Sequence, residues 1–358
     1  MSASGEILIN GRFLGRRPTG VDRFAHELLR ALDELIGLAP AGTNPPRFRL
    51  LVPSGVLTEF RHIPSEQVGQ RQGFAWEQID LPQAARGRPL LSLCNAAPLF
   101  KRAQIVTIHD AAPARVPESY GFRFRLWYRL LMPWLGRLSR RVLTVSEFSR
   151  REIAAAYGIP GNKIRVLPES GEHMLRVTPD TAILDRLGLH ARPFVLAVSS
   201  MVPHKDFATL VRAAEQLGDQ AGFDVVIAGG TDPRIFAGAR LPESVRHAGY
   251  VSDGELRALY EHAACFVFPS YYEGFGLPLT EAMVLGCPVI AARAASIPEV
   301  CGEAARYFEP GNDRELAALL ETSLADTAWQ QAAREAGKLR SERWRWSLAA
   351  HALLEALP

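Results

Sequence analysis

Short runs of apolar residues alternate along this chain with longer stretches in which apolar residues recur every three or four positions. The runs form two series: Glu6–Asn10, Phe48–Val52, Pro89–Cys94, Ile105–Ile108, Val142–Val145 and Ile164–Leu167, then Phe194–Val198, Asp224–Ala228, Cys265–Phe268, Pro288–Ala291 and Ala305–Phe308. Continuous apolar strands that alternate with helices are typical of parallel sheets covered on both faces. Two such series predict an α/β fold of two Rossmann-like domains that face each other across a cleft.

The helical stretches follow the same alternation. Helices are predicted over Val21–Leu35, Ser149–Tyr157, Asp206–Leu217, Gly254–Ala264 and Pro278–Leu285. Ser149 with Glu152, and Ser252 with Glu255, have the spacing of capping boxes, in which two side chains satisfy free N–H groups at a helix start.

Proline, glycine and charged residues cluster over Pro168–Arg192, just before the second series begins. Such a composition is common in the linkers between domains. We therefore expect an N-terminal domain over residues 1–170 and a C-terminal domain over residues 171–340. The last segment, residues 341–358, is aromatic and helical in pattern.

The composition is that of an ordinary soluble protein, since 47% of the 358 residues are hydrophobic and 22% are charged. No apolar run approaches the roughly 18–20 residues that a membrane-spanning helix needs. The four cysteines are scattered, without the spacing of a metal site or of a dense disulfide framework. Because residues 1–6 lack the basic start and apolar core of a signal peptide, we expect a cytoplasmic protein.

Positive charge is concentrated in the first half. Residues 1–170 contain 24 Lys and Arg against 14 Asp and Glu, whereas residues 171–358 contain 17 against 24. Within the basic half, aromatic and leucine side chains alternate with arginines over residues 120–141. This pattern is typical of segments that lie on anionic membrane surfaces, and it also fits core-packing helices with a solvated arginine face. Nucleic acid is a poorer explanation, since no recognition motif accompanies the charge.

The most informative segment is Pro269–Met283, with the sequence PSYYEGFGLPLTEAM. It joins a predicted strand to a predicted helix, and its glycines let the backbone approach a ligand closely. We expect Pro278 at the first helical position, where its missing N–H costs no hydrogen bond. The free N–H groups of the helix start then face an anion, and Glu273 and Glu281 supply carboxylates on either side of it. A phosphate with hydroxyl-rich groups on both sides is a nucleotide sugar.

This segment resembles the signature of glycosyltransferase family 4, whose retaining enzymes have the GT-B fold, and the resemblance covers nearly the whole chain. It implies that the donor sugar and diphosphate are held by four consecutive residues, Gly274, Phe275, Gly276 and Leu277. Glu281 would bind the ribose hydroxyls, and Glu273 would hydrogen-bond the sugar and stabilise positive charge at its anomeric carbon. The C-terminal helix would pack back toward the first domain.

The loop Ser199–Asp206 resembles a Pro-Arg-Lys-Asn segment of the same family. Lys205 would grip the donor diphosphate and offset the charge that builds on the leaving group. His204 stands where arginine is common, which removes a second fixed cation. Because the sequence has no Asp-x-Asp pair, we expect the helix start and Lys205 to supply the positive charge, with no catalytic metal and no cofactor.

His109 follows a predicted strand and matches a His-Asp segment that lies near the transferred sugar in the family. Its imidazole would hydrogen-bond the sugar or the reacting groups. Asp110 is a candidate for acceptor binding, for orienting His109 or for capping a helix.

Five further candidates rest mainly on the resemblance. Gly20, in the glycine-rich loop after the first strand, would approach the donor phosphates, and Arg16 would meet a phosphorylated acceptor or face water. Val251 lies in a segment that resembles the loop holding the nucleotide base. Trp76 and Asn95 would bind the acceptor sugar, Trp76 by stacking, although core packing fits Trp76 equally well.

The resemblance implies a retaining hexosyltransferase that takes a nucleotide-diphosphate sugar and a saccharide acceptor. Mannose from GDP-mannose is the expected donor, and a polyprenyl-diphosphate-linked saccharide of a surface polysaccharide or lipopolysaccharide is the expected acceptor. Peripheral binding to the inner face of the plasma membrane is expected through the basic half. A UDP-sugar-dependent transferase, a nucleotide-sugar epimerase and a non-catalytic sugar-nucleotide-binding partner are the alternatives. One departure from the family is Pro168–His173, where many relatives have a Pro-Asn-Gly-Val turn.

Overall fold

The computed structural model describes residues 5–16, 18–40, 42, 46–218, 222–230 and 244–357. The chain divides into two compact units, one formed by Met1–Glu169 together with Trp346–Pro358 and the other by Ser170–Arg345. The first boundary lies next to residue 170, where the sequence predicts it, and the second lies a few residues after residue 341. Residues 1–4, on which the expectation about a signal peptide partly rests, are outside the described residues.

The first unit is built on a parallel sheet. Its strands, numbered in chain order, are β1 (Ile7–Asn10), β2 (Phe48–Val52), β3 (Ser65–Gln67), β4 (Leu90–Ser92), β5 (Gln104–Thr107), β6 (Arg141–Thr144) and β7 (Ile164–Val166). Its helices are α1 (Gly20–Gly37), α2 (Gly73–Ala75), α3 (Leu81–Ala84), α4 (Ala112–Arg115), α5 (Phe122–Leu138), α6 (Glu147–Tyr157) and, at the end of the chain, α14 (Trp346–Ala356). The strand order is β3-β2-β1-β4-β5-β6-β7.

The second unit repeats this plan. Its strands are β8 (Phe194–Val198), β9 (Asp224–Ala228), β10 (Val245–Gly249), β11 (Cys265–Phe268), β12 (Val289–Ala292) and β13 (Ala305–Phe308). Its helices are α7 (Ala182–Leu187), α8 (Phe207–Leu217), α9 (Asp253–His262), α10 (Leu277–Val284), α11 (Ile297–Cys301), α12 (Asp313–Ala325) and α13 (Thr327–Ser341). The strands are parallel in the order β10-β9-β8-β11-β12-β13.

The α/β fold with two parallel sheets is therefore confirmed. Two strands, β3 and β10, were not predicted. All three residues of β3 are exposed, and β10 is mostly half-buried. Both lie at a sheet edge, where a strand covers little of the core and needs no continuous apolar run.

Of the two predicted capping boxes, one is present in the structure and the other is not. The capping box of Ser252 and Glu255 is confirmed: the N–H of Glu255 donates to Ser252 Oγ at 3.2 Å, and the N–H of Ser252 donates to the Glu255 carboxylate at 2.7 Å. The box predicted at Ser149 is wrong. There α6 starts at Glu147, and Ser146 Oγ accepts the N–H of Ser149 at 2.9 Å. Two serines three residues apart compete for the same role, and the sequence does not decide between them.

The C-terminal helix α14 packs within the first unit. Trp346, at its first position, is buried, and its ring centroid lies 6.0 Å from that of Phe24 on α1. No helix in the part of the chain that the structure describes is long and apolar enough to cross a bilayer.

Each sheet has a point where the strand order reverses. In the first unit this point lies between β1 and β4, and in the second unit it lies between β8 and β11. Ligands of doubly wound sheets bind beyond the carboxyl ends of the strands at such a point. The loops that follow β8 and β11 carry Lys205 and Glu273 respectively.

Candidate active site

The loop after β11 and the start of α10 form the centre of the site in the second unit. Gly276 precedes the helix in the left-handed region, with φ of 98°, a conformation that side chains disfavour. Leu277 is the first helical residue and Pro278 the second, so the sequence placed Pro278 one position early. The physical reason still holds for Pro278, because the N–H at the second helical position would have no partner inside the helix.

The buried side chain of Ser296 holds the backbone of this loop. Ser296 Oγ lies 3.0 Å from the carbonyl oxygen of Glu273 and 2.9 Å from that of Phe275, and it donates its single proton to this pair. The N–H of Tyr271 donates to the carbonyl of His204 at 3.0 Å, which joins the loops that follow β11 and β8. The backbone around Glu273 and Phe275 is therefore held by Ser296, and the start of the same loop is held by the loop after β8.

Lys205 and Glu273 form an ion pair. Lys205 Nζ lies 2.7 Å from each carboxylate oxygen of Glu273, and the two side chains are only 15% and 10% exposed. An ammonium group has three N–H donors, so one remains beyond the two that meet the carboxylate. The pair places a fixed cation and a fixed anion side by side at the carboxyl ends of β8 and β11.

Glu281 lies on α10, eight residues after Glu273 in the sequence, and is buried. Tyr260 Oη donates to Glu281 Oε2 at 3.1 Å, and His173 Nε2 lies 3.1 Å from Glu281 Oε1. Burial, followed by the neighbouring carboxylate, raises the pKa of Tyr260 well above its usual value. The phenol therefore keeps its proton at neutral pH, and its single O–H lies between two acceptors, the Glu281 carboxylate and the carbonyl oxygen of Pro278 at 3.3 Å.

The loops after β8 and β9 approach each other closely. A side chain at Gly229, whose φ is +100°, would meet the carbonyl oxygen of Ser199 at 2.5 Å, and one at Gly230 would meet Met201 at 2.5 Å. The N–H of Gly229 donates to the carbonyl of Gly249 at the end of β10. Val251, the predicted base-binding residue, follows that strand directly and is half-buried.

His109 lies at the carboxyl end of β5 in the first unit, and its ring is buried. Nε2 lies 3.0 Å from the carbonyl oxygen of Leu93, and Nδ1 lies 3.6 Å from Glu169 Oε1. Because a carbonyl only accepts, Nε2 carries a proton. The edge of the Phe24 ring contacts the imidazole, with the centroids 4.8 Å apart. The ring is thus fixed in one orientation by groups on several sides.

Asn95 and Asp110 bind backbone groups beside His109. Asn95 adopts a left-handed conformation, with φ of 56°, and its Oδ1 accepts the N–H of His109 at 2.8 Å. Asp110 Oδ1 accepts the N–H of Ala112, the first residue of α4, at 2.8 Å, while Ala111 occupies the N-cap position. Of the three roles that the sequence left open for Asp110, this contact is nearest to helix capping.

Arg16 and Gly20 lie beside each other at the start of α1. The guanidinium of Arg16 donates to Asp22 Oδ1, from Nε at 2.9 Å and from Nη2 at 2.5 Å. The carboxylate of Asp22 also accepts the N–H of Thr19 at 3.0 Å. A methyl group at Gly20 would meet nothing within 4 Å, so the space in front of this helix start is open.

Trp76 is fully buried, and its Nε1 donates to the carbonyl of Val68 at 2.6 Å. Neither ring face is open to a sugar, so the stacking role is corrected to the core packing that the sequence left as its alternative. The next residue, Glu77, accepts from Asn10 Nδ2 at 2.8 Å and lies 3.4 Å from Arg12 Nη1. Burial raises the pKa of Glu77, and Arg12 opposes that rise.

Comparison with protein families identifies the chain. Residues 182–340 match the family described as "Glycosyl transferases group 1", and residues 18–169 match "Glycosyltransferase Family 4". The chain belongs to glycosyltransferase family 4. The enzyme is 30% identical over 261 residues to "O-antigen chain mannosyltransferase B" of Escherichia coli, and the match covers 68% of this chain and 66% of that relative.

Solved structures show the same fold. This glycosyltransferase matches a sucrose-phosphate synthase from Thermosynechococcus elongatus with a TM-score of 0.75 at 19% identity, over 97% of both chains. It matches Anabaena Alr3699/HepE, in complex with UDP-glucose, with a TM-score of 0.74 at 19% identity, over 98% of this chain and 99% of that one.

The structure brings most of the predicted donor residues of this glycosyltransferase together in the second unit, around α10. Gly20 and the predicted acceptor residues belong to the first unit. Three residues that contact the segment Pro269–Met283 were not singled out by the sequence analysis. They are His173 and Tyr260, which contact Glu281, and Ser296, which binds the backbone of Glu273 and Phe275. For His173 the sequence offered an indirect signal, since it lies in the segment Pro168–His173, which departs from the family.

Proposed function

We propose that this glycosyltransferase moves mannose from GDP-mannose to a saccharide acceptor of a surface polysaccharide, with retention of anomeric configuration. The observation that carries the proposal is the arrangement around α10: a helix that starts directly after the left-handed Gly276, with Glu273 of the Lys205–Glu273 ion pair in the loop before it and the Glu281 carboxylate on the helix itself. The similarity to an O-antigen chain mannosyltransferase supports mannose as the transferred sugar and a polysaccharide chain as the acceptor. We propose in addition that this acceptor is linked to polyprenyl diphosphate.

Each part of this arrangement has a role in the proposed reaction. The N–H groups at the start of α10 and the remaining N–H of Lys205 bind the diphosphate, whose negative charge grows as the glycosidic bond breaks. Glu281 accepts hydrogen bonds from the ribose hydroxyls. Glu273 hydrogen-bonds the sugar and stabilises positive charge at the anomeric carbon. We propose that these groups act without a metal ion.

We propose that the acceptor binds to residues of the first unit. His109 is held rigidly at the carboxyl end of β5, as a group that hydrogen-bonds the transferred sugar needs to be. Arg16 presents a guanidinium anchored by Asp22, and one nitrogen, Nη1, is not used in that contact. These features support binding of a phosphorylated acceptor near Arg16, Asn95 and Asp110.

Purified enzyme tests the proposal directly. GDP-mannose is expected to raise the melting temperature as its concentration rises, because a ligand that binds only the folded state stabilises it by mass action. UDP-, ADP- and dTDP-sugars serve as matched alternatives. Transfer to a polyprenyl-diphosphate-linked saccharide, followed by NMR of the product's anomeric carbon, is expected to show the α-configuration of the donor. Inversion of configuration would exclude retention, and stabilisation by UDP-sugars alone would exclude GDP-mannose.

We also propose that α5 binds the surface of an anionic membrane. Four residues of this helix pack into the first unit, Leu131, Met132, Leu135 and Gly136. Six large apolar residues of the same helix are exposed, namely Phe122, Phe124, Leu126, Trp127, Leu130 and Trp134. Arginines lie among them, and an exposed apolar face with interspersed cations is characteristic of helices in the membrane interface. Both interpretations of residues 120–141 are thus supported, each by a different set of residues. The buried residues fit core packing, and the exposed apolar residues with their neighbouring arginines fit membrane binding.

Phe122 and Leu130 are 69% and 65% exposed, so replacing both with serine is expected to weaken sedimentation with phosphatidylglycerol vesicles without changing the melting temperature. Leu38 and Leu57, which are 79% and 87% exposed elsewhere in the first unit, provide the matched control when both are replaced with serine. Equal sedimentation of the α5 variant and the control would contradict the proposal, as would equal binding of the wild-type enzyme to neutral vesicles.

A further inference from the structure

We propose that His173 is the residue that positions Glu281 to bind the ribose hydroxyls of the nucleotide. This inference rests on the proposed function and assigns a second residue to the same part of the site. His173 lies in the segment Pro168–His173, which departs from the turn found in many relatives, and it precedes the first strand of the second unit.

The backbone of this segment is seated against α10. A side chain at Gly171 would meet the carbonyl carbon and oxygen of Thr280 at 2.4 Å and the nitrogen of Glu281 at 2.5 Å. These are backbone atoms that cannot rotate away, so only glycine allows the two chains to lie this close. The short helical turn Glu172–Arg176 follows at once and carries His173 toward the same part of α10.

The imidazole of His173 bridges its own segment and α10. Nδ1 lies 3.3 Å from the carbonyl oxygen of Ser170, and Nε2 lies 3.1 Å from Glu281 Oε1. The ring is 3% exposed. The Nε2 contact has the distance of an ion pair without the alignment of a hydrogen bond. Since the Ser170 carbonyl only accepts, Nδ1 carries a proton, and the contact with the carboxylate is attractive when Nε2 carries one too.

Glu281 is thus held at both of its oxygens. Tyr260 Oη donates to Oε2, and His173 faces Oε1. A carboxylate has about four acceptor positions, so two protein contacts leave positions for two ribose hydroxyls. A buried carboxylate without a neighbouring donor is costly and adopts other rotamers. The contact with His173 holds Glu281 in one orientation, which is what a residue that accepts from a diol needs.

His173→Leu tests the inference, because leucine has a similar volume and no donor. We expect it to raise the Kd for the nucleotide and the KM for the nucleotide sugar by about 10- to 100-fold, the effect of losing one hydrogen bond or ion contact to a charged group. The value of kcat should fall much less. His173→Gln, whose side-chain amide can place an N–H where Nε2 lies, should restore most of the affinity.

His190→Leu is the matched control, because His190 also contacts a carboxylate, Asp185, at 2.7 Å but is exposed. Its Kd for the nucleotide should equal that of the wild-type enzyme. Nucleotide binding by His173→Leu at wild-type affinity would overturn the inference. So would an equal loss in the Leu and Gln variants, which would indicate a packing role. If wild-type enzyme bound no nucleotide, the proposed function itself would fail, and the inference with it.

Discussion

Glu273→Gln is expected to lower kcat for glycosyl transfer by about 10²–10³-fold, the usual loss when one group that stabilises transition-state charge is removed. Glutamine keeps the shape of the side chain and its ability to hydrogen-bond the sugar, but it has no negative charge to set against positive charge at the anomeric carbon. The KM for the donor should therefore change little, because the lost interaction belongs to the transition state. Steady-state kinetics with the donor identified by thermal shift would measure both constants.

The exposed Glu342, in the same unit, gives the matched control as Glu342→Gln, with kinetics expected to equal those of the wild-type enzyme. If the Glu273 variant retained kcat within about threefold of wild type, Glu273 would have no part in charge stabilisation. If it raised KM with kcat unchanged, Glu273 would act only in binding.

Lys205→Met should reduce both activity and stability. The leaving diphosphate loses a fixed cation, for which we expect a fall in kcat of about 10²–10³-fold. The mostly buried carboxylate of Glu273 loses its partner at 2.7 Å, and breaking such a pair from one side lowers the free energy of unfolding by about 3–5 kcal/mol. Kinetics and urea denaturation of the same preparation would measure the two effects.

The double variant Lys205→Met/Glu273→Gln separates the two effects. It should regain much of the lost stability, because no buried charge is left unpaired, and it should remain inactive. Arg212→Met is the control: Arg212 pairs with Asp313 at 2.5 Å, but its side chain is 47% exposed, and exposed pairs contribute about 0–1 kcal/mol. A Lys205 variant as stable as this control would contradict the contact with Glu273, and one with wild-type kcat would contradict its role on the diphosphate.

The sequence predicted the fold well because its main signal, the alternation of apolar strands with helices, is a local one. Parallel strands buried on both faces need continuous apolar runs, and those runs are visible without any knowledge of the partners. The edge strands β3 and β10 lack this signal because they cover little of the core. Trp76 shows a related limit, since a buried tryptophan and one that stacks on a sugar look the same in a sequence.

The site was predicted only as a set of separate segments. The Lys205–Glu273 pair joins side chains 68 residues apart, and it forms because β8 and β11 are neighbours in the second sheet. The order of strands in a sheet depends on the whole fold and not on either loop. The contacts of Glu281 with His173 and Tyr260 were missed for the same reason.

The most direct test of the proposed donor site is a crystal structure of the enzyme with a non-transferable analogue of its nucleotide sugar. We expect diphosphate oxygens within hydrogen-bonding distance of the N–H groups at the start of α10 and of Lys205 Nζ, with the ribose hydroxyls on the Glu281 carboxylate. A nucleotide bound elsewhere, or a diphosphate at this site with the ribose turned away from Glu281, would contradict the proposed site.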